Sequence, residues 1–388
     1  MAEEVIIFAR SLPFHHLGGM EVVAWDLAVQ LQVKGFKVTV VTTDFDEDIP
    51  VLENTPQIIK LKNIPKAAYS PGWWAETEKI IETWRTKDNV SAVISISAGA
   101  FSTLKHKKLF PNAKFIMQAH GTSIGELVSK IKTRKIKKIL SSVKNILGFY
   151  SDAKHYSYFD WVVAVGDAVK KDLTSFPTTL ICSNDKVVKI ENGIDEYLFS
   201  DDISQRNTVR EQLGISFEAK IFLSASRLHE QKGVDKNIDL FAEIKKVNVD
   251  AKLLICGDGP YEKQLRKKVD ELKLNHDVIF LGAKTRTDLA KIMQGADIFL
   301  FLTKRVEGLP LNVLEAMSSG LPLIISEHLT FNSSDKIFKC KPNHIPFKDV
   351  QAYINTLSSK ERRSFIPKKN TLSHSVSEYT SLFLRNSK

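Results

Sequence analysis

Cysteine is scarce. The 388 residues hold three, Cys182, Cys256 and Cys340, far apart and odd in number. That argues against a disulfide framework, and no spacing among them suits a zinc site or a redox pair. A reducing, cytoplasmic setting is the expectation. Long apolar runs are lacking too: no stretch reaches the ~18 apolar residues of a membrane span. The opening MAEEVIIFARSLP sets two acids before a short apolar run, so no signal peptide is expected. Membrane contact, if made, is then peripheral. Acids are in deficit, 45 Asp and Glu against 55 Lys and Arg, for a formal net charge of +10. This balance favours phosphates, nucleic acid or a membrane surface without choosing among them. The hydrophobic share of 43% and charged share of 26% exclude wholesale disorder. The length suggests two or three domains.

What is present is a repeating strand–helix order. Val5-Ile6-Ile7-Phe8 reads as a strand, Gly18-Gly19 as a turn, and Val22 to Lys34 as a helix. Strands follow at Val38–Val41, Ala92–Ile96, Phe115–Met117 and Trp161–Val165. After a polar stretch from Asn192 to about Asn207 the pattern restarts. Lys220–Ala225, Ala251–Cys256, Val278–Leu281, Ile298–Phe301 and Pro322–Ile325 form a second set. Continuous apolar strands alternating with helices predict parallel sheets covered on both faces. The reading is two doubly wound α/β domains with a cleft between them. Ligands of such sheets bind beyond the carboxyl ends of the strands.

Chemistry-bearing residues cluster at those ends. Lys304 to Gly320 follows a strand and opens a helix, with Glu307 in the loop and Glu315 about two turns into the helix. The backbone N–H groups of Gly308 and Leu309 fall near the helix start, which favours an anion. One glutamate can bind sugar hydroxyls and the other a ribose, although an isolated pair at this spacing is usually two surface acids. Arg227 and Lys232 come from one loop, as a diphosphate requires: a guanidinium fork and an ammonium point charge. Gly18 and Gly19 fit a phosphate approach, and His120, before Gly121, stands at a strand's carboxyl end. Residues 130–144 carry seven Lys and Arg and no acid, with Ile136, Ile139, Leu140 and Val143 at helical spacing. A basic amphipathic helix can lie on an anionic bilayer, and it can equally be a solvated face on a packed helix. Trp73-Trp74 reads as a second interfacial element or as a packed internal loop.

Taken together these stretches resemble the retaining glycosyltransferases of GT-B architecture, in the large family four (glycosyltransferases group 1). The carriers are Gly18-Gly19, His120-Gly121-Thr122, Asn192-Gly193-Ile194-Asp195, Ser226-Arg227-Leu228 with Lys232-Gly233, Gly257-Asp258-Gly259-Pro260, and Glu307-Gly308-Leu309-Pro310 through Glu315-Ala316-Met317. The resemblance implies two Rossmann-like domains facing a central cleft. The acceptor side is expected at 1–195, with a helix at about 370–388 packing back on it, and the nucleotide-sugar side at 196–369. It implies a UDP- or GDP-linked donor and a glycan acceptor, lipid-linked polysaccharide or lipopolysaccharide intermediates included. Arg227 and Lys232 would bind the diphosphate. Glu307 would bind the donor sugar, Gly308 and Leu309 its sugar or phosphates, and Glu315 the ribose. His120 would lie at the anomeric centre, Gly18 and Gly19 beside the diphosphate, and the backbone near Ala283 beside the base. No metal or other cofactor is implied.

The chain departs from the family pattern at Ser326-Glu327-His328-Leu329, where relatives often have a Gly-Gly pair and a glutamate, and at Gly166-Asp167. The alternative is an NAD-dependent oxidoreductase or a sugar-nucleotide epimerase on related domains. Its best motif, Gly257-Asp258-Gly259, has Lys263 where the dinucleotide fingerprint needs glycine. Asp44 to Asp48 lacks the glycine turn of a calcium loop and reads as a solvated acidic loop. No stacking-aromatic module is visible, so no nucleic-acid partner is expected.

Overall fold

The β-branched runs become strands of two all-parallel sheets. The computed structural model describes residues 2–16, 18–46, 54–121, 123, 143–305, 309–357 and 362–384. The chain divides into two compact units, Met1–Gly193 with Lys369–Lys388, and Ile194–Lys368.

The first unit runs β1 (Glu4–Phe8), α1 (Gly19–Val33), β2 (Lys37–Thr43), β3 (Gln57–Leu61), α2 (Pro71–Glu82), β4 (Val90–Ile96), β5 (Lys114–Ala119), α3 (Val143–His155), β6 (Trp161–Ala164), α4 (Asp167–Leu173) and β7 (Val187–Lys189). Its seven-stranded sheet has the order β3-β2-β1-β4-β5-β6-β7. Successive side chains of a strand point to opposite faces. Accordingly Val5 and Ile7 join one buried cluster while Ile6 and Phe8 join another. Helix α2 starts where Ser70 caps it, its side chain accepting from Trp73 N, with Pro71 at the first position. Trp73 is fully buried and donates from Nε1 to the Gly99 carbonyl at 3.0 Å, so this tryptophan is core and not an interfacial anchor.

The second unit runs α5 (Arg206–Gln212), β8 (Ile221–Ala225), α6 (Val234–Val247), β9 (Lys252–Cys256), α7 (Glu262–Glu271), β10 (Val278–Gly282), α8 (Arg286–Gly295), β11 (Ile298–Phe301), α9 (Leu311–Ser318), β12 (Leu323–Ser326), β13 (Ile337–Cys340) and α10 (Phe347–Thr356). Its sheet has the order β10-β9-β8-β11-β12-β13. The chain then returns to the first unit as α11 (Leu372–Leu384). Leu372, Val376, Tyr379, Leu382 and Phe383 of α11 pack with Leu27 and Leu31 of α1 in one apolar cluster. Each such fully buried side chain contributes about 1.5–3 kcal/mol.

Buried charge in the second unit is paired. Arg210, wholly buried, donates from Nη2 to Asp297 Oδ2 at 2.8 Å, and Arg206 Nη2 meets Asp297 Oδ1 at 2.5 Å. Asp297 also accepts from Ile221 N at 2.7 Å, which fixes the amino-terminal edge of β8 beside β11.

Candidate active site

In the second sheet the strand order reverses between β8 and β11, which pair directly. That is where a doubly wound sheet opens a crevice at its carboxyl edge. Asn237 of α6 builds it. This fully buried amide donates from Nδ2 to Ser224 Oγ at 2.8 Å and to the Leu300 carbonyl at 3.2 Å, and its Oδ1 accepts from Leu302 N at 3.1 Å. Asn312, at the start of α9, donates to the Ala225 carbonyl at 2.7 Å. The Gln231 carbonyl accepts from Thr303 Oγ1 at 3.1 Å and from Lys304 N at 2.9 Å. The loop that carries Arg227 and Lys232 is therefore fastened to the segment leading into α9.

Two glycines allow that closeness. Gly233 has φ +69°, and a Cβ there would overlap the Leu302 carbonyl oxygen and stand 2.7 Å from its carbon. Gly257 has φ +130°, and a Cβ there would overlap the Ser226 carbonyl oxygen. Glycine adopts such angles at no steric cost, and here it also leaves room for the neighbouring carbonyls.

The anticipated residues fall as follows. Arg227 is exposed, two residues past β8. Lys232 is half-buried, its Nζ 5.7 Å from the Phe301 ring centre. Ala283 is exposed just after Gly282, whose carbonyl accepts from Gly257 N at 2.8 Å. Leu309 precedes Pro310, the cap of α9. Glu315 is the fifth residue of α9, little more than one turn in rather than two. The helix starts late because Pro310 is extended and begins it only at Leu311. Glu315 is buried and ion-paired, Arg286 Nε lying 3.6 Å from its Oε1. The Arg286 guanidinium sits 5.3 Å over the Phe199 ring. Glu307 and Gly308 lie outside the described residues, as does 130–142 of the basic segment.

In the first unit Gly18 caps α1 and Gly19 is its first residue, so the helix begins three positions before the predicted Val22. Glu21, buried in the first turn, accepts from Ser11 Oγ at 2.8 Å and stands 3.2 Å from His16 Nε2. His120 is one residue beyond β5. Its Nε2 is 2.8 Å from Gln118 Oε1, and Gln118 Nε2 donates to Tyr379 Oη at 2.7 Å. Burial pushes the His120 pKa down to about 4, so the ring is neutral at pH 7. Among the described residues no group of three His, Cys, Asp or Glu is placed to hold a metal ion. Asp46 of the acidic loop pairs with Lys66 at 2.8 Å.

Asn237, Asn312 and the Gln118–Tyr379 pair were not singled out from the sequence. Asn237 had a signal: it interrupts the apolar stripe of Val234, Ile238 and Phe241, where a polar side chain must find partners.

Residues 205–359 match the family model of glycosyl transferases group 1, and residues 17–197 match that of glycosyltransferase family 4. The chain belongs to the group 1 glycosyltransferases. Neither model is that of an oxidoreductase or an epimerase. The alpha-monoglucosyldiacylglycerol synthase of Streptococcus pneumoniae is 27% identical over 339 residues, covering 84% of this chain and 72% of that protein. EpsF of Bacillus subtilis is 32% identical over 146 residues, covering 38% of this chain and 37% of EpsF. That alignment spans little more than a third of the relative. Anabaena HepE, solved in complex with UDP and glucose, superposes with a TM-score of 0.65 at 15% identity over 98% of this chain and 99% of its own. At that identity the likeness is one of fold. Among the described residues of this glycosyltransferase no helix is long and apolar enough to cross a membrane.

Proposed function

We propose that this glycosyltransferase takes a UDP- or GDP-linked sugar and transfers it, with retention and without a metal, to a glycan acceptor, lipid-linked intermediates of cell-surface polysaccharide or lipopolysaccharide included. The observation that carries the reading is the fastening of the Arg227–Lys232 loop to the segment that leads into Leu309 and Glu315. It ties the loop that carries two cations to the segment before α9, whose fifth residue is the buried Glu315, at the carboxyl edge where the strand order reverses, and this supports the reading. The synthase name of the Streptococcus relative and the UDP complex of HepE support a sugar-nucleotide donor and a lipid acceptor.

In this reading the Arg227 fork and the Lys232 charge neutralise the diphosphate as it leaves. Glu315, oriented by Arg286, binds the ribose. Glu307 holds the donor sugar, and the N–H groups of Gly308 and Leu309 its sugar or phosphates. The backbone at Ala283 flanks the base, and Gly18 and Gly19 leave room for the diphosphate. His120, kept neutral, contacts the sugar without placing a second positive charge beside an oxocarbenium-like centre. The bond from the anomeric carbon to the β-phosphate oxygen breaks. The acceptor oxygen bonds to that carbon on the same face, and its proton passes to the departing diphosphate. The basic segment 130–144 would hold the enzyme on an anionic membrane at the cytoplasmic face, each basic residue contributing about 1 kcal/mol.

The test is to incubate the protein with UDP- and GDP-sugars and an acceptor, follow nucleoside diphosphate release, and read the product linkage by proton NMR. An α-linked donor is expected to give an α-linked product, and Arg227→Ala and Glu307→Ala to lose about 100-fold in turnover. Wild-type turnover in both variants would refute the residue roles, and an inverted product would refute retention.

A further inference from the structure

The strand order of the first sheet also reverses, between β1 and β4, which pair directly. A doubly wound sheet offers a ligand crevice beyond the carboxyl ends of its strands at such a point. Arg10 stands there, half-buried, two residues past β1. Its carbonyl accepts from Thr43 Oγ1 at 2.8 Å, which fixes its backbone. Its guanidinium lies 4.7 Å from the centre of the Tyr69 ring. That ring is fixed in turn: Tyr69 Oη donates to the Ile96 carbonyl at 2.8 Å, and Trp74 stacks on it at 5.3 Å. Arg10 Nε is buried and has no hydrogen-bond partner. Among the described residues no carboxylate pairs with this guanidinium, and Glu21, the acid at the start of α1, is engaged by Ser11 Oγ and His16 Nε2 instead. A guanidinium stays charged, and a charge withdrawn from water calls for a counter-charge.

Ser97 stands across the same point, one residue past β4 and next to the Ile96 carbonyl that holds Tyr69. Its φ of +52° is in the left-handed region, where a side chain is strained. Two bonds keep it there: its N–H donates to the Gln118 carbonyl at 2.9 Å, and its carbonyl accepts from Ser95 Oγ at 2.7 Å. Backbone strain held in this way is concentrated at ligand clamps. Among the described residues the Ser97 hydroxyl meets Met20 Sδ at 3.6 Å, a weak acceptor that a better one would displace.

We propose that Arg10 and Ser97 form an oxyanion pocket at this switch point, and that it binds a phosphate group of the sugar acceptor. The guanidinium fork supplies paired N–H donors and the hydroxyl a further one, as phosphate oxygens accept. A neutral acceptor would leave the Arg10 charge unanswered, so the pocket narrows the acceptor to a phosphate-bearing one. The acceptor half of the proposal rests on the reading of the chain as a glycosyltransferase with its acceptor on the first unit. The phosphate half can be measured without any transfer.

Inorganic phosphate is titrated calorimetrically into full-length Arg227→Ala/Lys232→Ala protein, which lacks the proposed donor cations. Saturable binding is expected, weakened about tenfold when Arg10→Met is added and about fivefold when Ser97→Gly is added. Glycine is at ease at φ +52°, so Ser97→Gly carries the test should Arg10→Met not fold. No saturable binding, or binding unchanged by both substitutions, would overturn the pocket. In the otherwise wild-type chain Arg10→Met should keep its affinity for UDP and GDP. Farnesyl phosphate should inhibit transfer in competition with the acceptor, about tenfold more weakly in Arg10→Met, and farnesol should not. A tenfold loss of nucleotide affinity in Arg10→Met, inhibition in competition with the donor, or equal inhibition by farnesol would overturn the acceptor assignment. Arg10-dependent phosphate binding by a protein that transfers no sugar would refute the proposed function and leave the pocket standing.

Discussion

Replacing Gly233 by alanine isolates the junction on which the proposed donor site depends. The residue has φ +69°, and an L side chain in the left-handed region costs about 1 kcal/mol. Gly214 supplies the control in the same unit: its φ is +64°, and nothing lies within 4 Å of where its Cβ would stand. Gly214→Ala should therefore lose about 1 kcal/mol and no more. Gly233→Ala adds a collision with backbone, 2.7 Å from the Leu302 carbonyl carbon and 3.2 Å from Thr303 Cα. Backbone cannot turn aside as a flexible side chain can, so the loop must retreat. Retreat breaks the bonds of Thr303 and Lys304 to the Gln231 carbonyl, about 1 kcal/mol each. The total is about 3 kcal/mol, or about 2 more than the control. Urea unfolding of the two variants side by side measures the difference, since what the first unit contributes is common to both. UDP or GDP affinity should fall at least about tenfold in Gly233→Ala, because a displacement near 1 Å in a positioning loop is costly. Equal losses in the two variants, or wild-type nucleotide binding by Gly233→Ala, would refute the argument.

Three further outcomes follow from buried groups. Arg210→Met should destabilise the second unit by about 3 kcal/mol in urea, because the buried Asp297 loses one of its two arginine ion-pair partners. Burial alone pushes the Glu191 pKa up, but bonds from Lys369, Lys189 and Asn370 outweigh it and leave the carboxyl below its ordinary 4.5. The stability this gives is complete above that value and is lost as pH falls through the depressed one, so Glu191→Gln should flatten the acid limb of a urea-midpoint profile between pH 7 and 3. Burial pushes Cys182 and Cys340 up to about 11 and Cys256 up to about 12. A disulfide reagent at pH 7.5 should then titrate almost no thiol in the folded chain and all three in urea.

The central strands were legible in the sequence because they are buried on both faces and read as unbroken apolar runs, as Val5–Phe8 and Ile298–Phe301 do. Three edge strands, β3, β7 and β13, were not. Lys60, Lys189 and Lys339 sit within them and interrupt the apolar run, which β10, also at a sheet edge, keeps unbroken from Val278 to Leu281. At the candidate site the charged residues and glycines stood out by type and spacing. What stayed hidden were the uncharged amides Asn237, Asn312 and Gln118. Their roles depend on partners far along the chain, such as Gln118 with Tyr379, and no local pattern encodes such a pairing.

In the proposed function, Arg227, Lys232 and Glu315 hold one nucleoside diphosphate. Equilibrium titration of UDP and of GDP into wild type, Arg227→Ala, Lys232→Ala and Glu315→Ala tests it most directly. Wild type should bind one of the two nucleotides, and each substitution should weaken that binding about tenfold or more, as expected for the loss of a charge-assisted bond. Nucleotide affinity unchanged in all three variants, or no affinity in wild type, would contradict it.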